Sequence, residues 1–120
     1  MDKNAGYMEA NLGGQIRPLK FGMGAWKIIS EQTGLSLDKM GEIPPSDFPA
    51  LIIFAGAKQA ALADNKQVDF NINNVYDWLD EITPELLEQI IKCLGESKLM
   101  GRTFNDFLSG SVKKKEMKAV

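Results

Sequence analysis

Histidine is absent from this chain of 120 residues, and cysteine occurs once, at Cys93. Those two counts exclude a Cys/His zinc site, a Ser-His-Asp triad, a Cys/His nucleophilic pair and any disulfide within the chain. Long apolar runs are also missing. The longest covers residues 50–57, is interrupted by Gly56 and ends at Lys58, far short of the roughly 20 residues that span a bilayer. The opening Met1-Asp2-Lys3-Asn4 has no basic start followed by an apolar core. No secretory signal is therefore expected, and the chain reads as one for a reducing cytoplasm. Cys93 sits beside Leu94 in a helical pattern and reads as a small apolar filler rather than a reactive thiol.

What is present is ordinary for a single globular domain: 44% hydrophobic and 25% charged residues, enough to build one core and too little for two. The charge is unevenly placed. Residues 1–97 hold 8 basic and 14 acidic side chains, whereas residues 98–120 hold 6 basic and 2 acidic ones. A folded acidic body, residues 1–97, is expected to be followed by a basic, partly disordered tail, residues 98–120, because its last stretch has almost no apolar periodicity to bury.

Gly13-Gly14 separates two short extended patterns, residues 7–12 and 15–21. A Gly-Gly pair lets both central positions take the positive φ that a type I′ turn requires, so an N-terminal β-hairpin is expected. Pro18 donates no ladder bond, which places that side of its strand at an edge. After Gly22-Met23-Gly24, the spacing of Ala25, Trp26, Ile29 and Thr33 predicts a helix closed by a left-handed Gly34, with Leu35 folding back as in a Schellman motif. Ser36 follows as the cap of one short turn reaching Met40.

Past Pro44-Pro45, Ser46 is the expected N-cap of a second helix running to about Ala63, with Pro49 in its first turn. Its first half has little polar face, which makes it the candidate central helix. The small residues Gly56, Ala57, Ala60 and Ala61 permit close approach of a neighbour. Asn71 or Asn73 can cap a third helix whose Val75, Trp78, Leu79 and Ile82 form the clearest amphipathic stripe. Thr83-Pro84-Glu85 opens a fourth, with Leu86, Leu87, Ile90, Ile91 and Leu94 on one wide face. The expected fold is mainly α (α+β): an N-terminal β-hairpin followed by a compact bundle of four to five helices.

Few constellations suggest chemistry. Gly22-Met23-Gly24-Ala25-Trp26-Lys27 begins like a dinucleotide-binding glycine motif but carries Lys27 where the last glycine belongs and lies in no parallel βαβ unit. Asp77, Asp80, Glu81, Glu85 and Glu88 cluster locally. A cation site or a catalytic carboxylate pair would need several of these oxygens to converge, and the spacing is unlike an EF-hand loop; a solvated helix face with dipole complement at a helix N-terminus accounts for them more simply. Lys113-Lys114-Lys115 with Lys118 has no interleaved aromatics, so it offers only salt-sensitive attraction to phosphates. Neither a catalytic residue, a metal site nor a cofactor is expected. Phe104, Phe107 and Leu108 give one apolar face at i, i+3 and i+4, which either docks on the body or fits a partner's groove.

The order of these elements carries a resemblance. A strand ending in Phe21 feeds a helix closed by Thr33-Gly34 and Leu35, and a Trp78-Leu79 helix is followed by Pro84 and a Leu/Ile-rich helix. Over roughly residues 7–97 this resembles the tail assembly chaperones of long-tailed bacteriophages. The resemblance implies a small, mainly helical, non-catalytic protein of the host cytoplasm, absent from the finished virion, that keeps the tape-measure protein soluble and helps recruit tail-tube subunits. Many such genes also make a longer product by ribosomal frameshifting, and the lysine run fits an adenine-rich slippery sequence. The family transfers no site residues. The expected partner surface, read from the residues alone, is Phe104, Phe107 and Leu108, with Asp77, Asp80 and Glu81 as a second contact. Self-association is a further possibility, and no membrane contact is expected. The competing reading is a small nucleic-acid-associated accessory protein using its basic tail, opposed by the acidic body.

Overall fold

Strand β1, Tyr7–Leu12, and strand β2, Gln15–Lys20, pair antiparallel with Ala10 opposite Arg17 and Leu12 opposite Gln15. They form the expected hairpin in a computed structural model that describes residues 6–99 and 102–103. Gly13 and Gly14 take φ 65° and 81°, the conformation a type I′ link demands and a side chain resists. The Phe21 N–H donates to the Gly6 carbonyl at 2.7 Å. Alternation along an antiparallel ladder then makes Glu9 and Pro18 a non-hydrogen-bonded pair, so the Pro18 nitrogen points to the outer edge of β2, where its missing proton breaks no rung.

Helix α1, Met23–Thr33, ends at Gly34 with φ 77°. Its closure differs in detail from the Schellman expectation. The Gly34 N–H donates to the Ser30 carbonyl at 2.7 Å, the single bond of the αL motif. Leu35 is held by side chains instead: its N–H donates to Thr33 Oγ1, and its carbonyl accepts from Ser30 Oγ at 2.6 Å. A 3-10 helix, Leu37–Glu42, follows.

Helix α2, Phe48–Ala63, is the central element: Ala50 to Ala57 are all buried. The residue before it is Asp47, with helical φ −92° and ψ −19° and no side-chain cap bond. Ser46 is therefore not the N-cap; the chain turns one residue later, and Pro49 near the start removes one of the N–H groups that would otherwise need a partner. Phe21 lies on Gly56, where a Cβ would come within 2.6 Å of its ring. Gly24 lies on the amide of Gln59. Those two glycines thus serve close packing, and with antiparallel strands ahead of it the Gly22-Met23-Gly24 stretch is not a phosphate loop.

Helix α3, Ile72–Leu79, opens with a reciprocal cap: Asn71 Oδ1 accepts from the Asn74 N–H, and Asn74 Oδ1 accepts from the Asn71 N–H. Helix α4, Pro84–Glu96, is capped by Thr83 Oγ1, which accepts from the Leu86 N–H at 3.1 Å. Val75, Trp78, Ile90 and Leu94 face the core, while Ile91 is 47% exposed, so the apolar face of α4 is narrower than its sequence suggests. Ser97 ends α4, fully buried, its Oγ donating to the Leu94 carbonyl at 2.6 Å. A second hairpin, β3 Lys98–Leu99 with β4 Arg102–Thr103, follows where the sequence suggested only the start of the tail. No helix among the described residues is long and apolar enough to cross a membrane.

Candidate protein-binding surface

Beside its apolar face, the hairpin reaches the helices through one charged residue. Arg17 lies on the inward face of β2, opposite Ala10, where an unpaired guanidinium would be costly. Its charge is met from three sides. It sits 4.5 Å from the Trp78 ring centroid and 5.4 Å from that of Phe70, and its Nη1 donates to Asp69 Oδ1 at 3.3 Å. Arg17 Nε also donates to the Leu12 carbonyl at 3.3 Å. Phe70 in turn meets Phe54 of α2 edge-on at 6.0 Å and Trp78 at 5.3 Å. Arg17, Phe70, Trp78 and Phe54 thus tie β2, the connection before α3, α3 and α2 together. The alternation on β2 could have signalled this: a charge on a face with Leu19 and Phe21 needs a partner.

The tip of the hairpin rests on the same tryptophan. A Cβ on Gly13 would overlap the Trp78 indole, lying 2.7 Å from Cδ1. Between this tip and the start of α4 opens a cleft of about 430 Å³, lined by Asn11, Gly13, Gly14, Trp78, Glu81, Ile82, Thr83 and Leu86. Its lining mixes the apolar side chains of Trp78, Ile82 and Leu86 with the polar ones of Asn11, Glu81 and Thr83.

Asp77 is exposed on the last turn of α3, Asp80 follows that helix at its C-cap, and Glu81 lines the cleft. Of the three, only Glu81 is part of the cleft; Asp77 and Asp80 are exposed on the neighbouring turn. Between residues 67 and 91 the chain carries six acidic side chains and no basic one. Glu85 complements the N-terminus of α4 as expected. Asp77 and Asp80 stand instead at the C-terminal end of α3, and Glu81 follows in the link to α4. The ion pair found among the described residues is Arg17 with Asp69, so none of the three is neutralised there.

Nor do the acids converge. Among the described residues no group of three His, Cys, Asp or Glu side chains is arranged to hold a metal ion. Cys93 is buried, and desolvation, assisted by the charge of Glu96, pushes its thiol up to about 11, so at neutral pH it carries no thiolate to act as a nucleophile. Phe104, Phe107 and Leu108 lie outside the described residues. What the surface offers is a cleft of mixed polar and apolar lining with Glu81 in its wall and Asp77 and Asp80 exposed on the neighbouring turn. Comparison with protein-family models, with curated proteins and with solved structures gives no match to this chain.

Proposed function

We propose that this chain is a tail assembly chaperone of a long-tailed bacteriophage, the short form of a frameshifted pair, acting in the host cytoplasm. It binds the tape-measure protein and tail-tube subunits and performs no catalysis. The observation that carries this reading is the succession of elements on which the resemblance rests. Phe21 leads into a helix whose Thr33-Gly34-Leu35 end is locked by two side-chain bonds, and a Trp78 helix precedes a proline-started α4. The physical task suits such a protein, because a long helix with uncovered apolar stripes aggregates unless small partners cover it.

The contacts assigned to the partner are Phe104, Phe107 and Leu108, with the acidic side chains of Asp77, Asp80 and Glu81 as the second. Co-expression with the long coiled-coil protein encoded downstream tests the reading. The expected result is that this otherwise insoluble protein becomes soluble and co-purifies with the chain. A partner that stays insoluble beside a soluble 120-residue protein overturns it. Tight, salt-sensitive binding to DNA or RNA would replace it with the nucleic-acid reading.

A further inference from the structure

The two edges of the first hairpin are unlike. Gly6 with Phe21 is a hydrogen-bonded pair, so the ladder alternates from there. Tyr7, Glu9 and Asn11 of β1 turn their N–H and C=O groups away from β2, and Ile16, Pro18 and Lys20 of β2 turn theirs away from β1. The β2 edge is blocked at its centre, where Pro18 has no proton to donate, and Lys20 guards one end. The β1 edge has neither proline nor lysine. Among the described residues its outward N–H and C=O groups have no hydrogen-bond partner, and the side chains of Tyr7, Glu9 and Asn11 are exposed beside them.

We propose that β1 is a docking edge for an extended segment of a partner chain, which adds as a third strand and carries lysine or arginine beside Glu9. Main-chain bonds supply the attachment and side chains the selection. Glu9 sets the charge. The uncharged Pro18 stands opposite it on β2, and among the described residues no ion pair reaches its carboxylate. A cation on the added strand would therefore meet an unpaired anion across the ladder.

The tip end of the edge adds a second feature, because Asn11 also lines the cleft that holds Glu81, Ile82 and Leu86. A segment paired along β1 runs into that cleft, where one apolar side chain can settle against Ile82 and Leu86 with the Glu81 carboxylate nearby. A second copy of β1 fits the edge poorly. The antiparallel register that pairs all the outward residues of two β1 strands sets Glu9 of one copy opposite Glu9 of the other, and like charges so placed are destabilising.

NMR titration of the full-length protein tests the edge. The probe is a synthetic peptide of four alternating lysine–valine pairs, acetylated and amidated at its ends, with a glutamate–valine peptide of the same length as control. The lysine peptide is expected to bind with Kd below about 1 mM, and the glutamate peptide at least about tenfold more weakly. Binding should slow hydrogen exchange at the amides of Tyr7, Glu9 and Asn11 and leave those of Ile16 and Lys20 unchanged. Glu9→Pro removes one outward N–H and no hairpin rung, and is expected to weaken binding about tenfold or more; Lys20→Pro, the same change on the other edge, should stay within about twofold of wild type. Glu9→Gln keeps the N–H and should shrink the preference for the lysine peptide, a readout that survives if a proline variant fails to fold. Absent binding, equal binding of the two peptides, or protection on the β2 edge overturns the proposal. Slow exchange at Tyr7, Glu9 and Asn11 in the free protein that is lost on dilution assigns the edge to a second copy and overturns it too. The probe is synthetic, so its failure leaves the chaperone reading standing.

Discussion

Helix α2 and the α3–α4 pair bury apolar side chains in opposite ways. Residues 50–57 of α2 are all buried, whichever direction they point, because the hairpin, α1 and α3 lean on different sides of it. Helices α3 and α4 bury one face each, Val75 with Trp78 and Ile90 with Cys93, Leu94 and Gly95, with Ile72, Leu79, Leu86 and Leu87 partly buried beside them, and turn the opposite face to solvent. A helix hydrophobic all round can only be interior. An amphipathic one keeps a free surface, and here that surface collects the acids. The lesson is a division of labour: α2 supplies buried apolar surface on every side, while α3 and α4 each bury one face and turn a charged one to solvent.

Ile53→Ala breaks the comparison at its strongest point. With that side chain fully buried, a loss of about 2–5 kcal/mol is expected in urea unfolding. The same truncation at Ile91, 47% exposed on α4, is expected to stay within about 0.5 kcal/mol; equal losses would erase the distinction.

Gly13→Ala probes where the two regions meet. Both Gly13 and Gly14 have positive φ, worth about 1–2 kcal/mol of strain for an L side chain. Only Gly13 also abuts Trp78, whereas nothing lies within 4 Å of a Cβ at Gly14. Gly13→Ala should therefore lower the unfolding midpoint more than Gly14→Ala, and only the former should shift the Trp78 fluorescence.

Thr83→Ala removes the cap of α4, and a loss of about 1 kcal/mol is expected by thermal unfolding. Ser46→Ala, at a position the structure shows is not the cap of α2, is expected to cost a few tenths at most.

Cys93→Ala adds a pH test. The thiol's folded value of about 11 lies above its ordinary 9.0, so the unfolded chain releases the proton first as pH rises. Its contribution is constant below about pH 9, declines between about 9 and 11, and is gone above that. The wild-type minus Cys93→Ala difference in stability should follow that curve and be flat at neutral pH. A difference that instead changes between pH 5 and 8 would contradict the assigned shift.

Local chemistry made much of this legible in advance. Gly13-Gly14, Gly34, Asn71 and Thr83 each mark a boundary through φ preference or a side-chain bond that operates within four residues. Ser46 misled because Asp47 begins the same turn just as well, and neither forms a side-chain cap bond that would distinguish them. The candidate site was half legible. Asp77, Asp80 and Glu81 stood out as a charge cluster, but the cleft beside them did not, since its walls come from residues 11–14 and 78–86.

Sequence alone determined the order of elements from the first hairpin to α4, the central place of α2 and the acidic bias of the body, because periodicity, turn chemistry and charge are properties of neighbouring residues. Only the tertiary structure decided that Arg17 would lie over Trp78 and Phe70, that Phe21 would rest on Gly56, and that the hairpin tip would wall a cleft with Glu81. Those contacts join positions 35 to 65 residues apart. Nothing in local propensity specifies such distant pairings; they follow from which faces remain uncovered once the helices have packed.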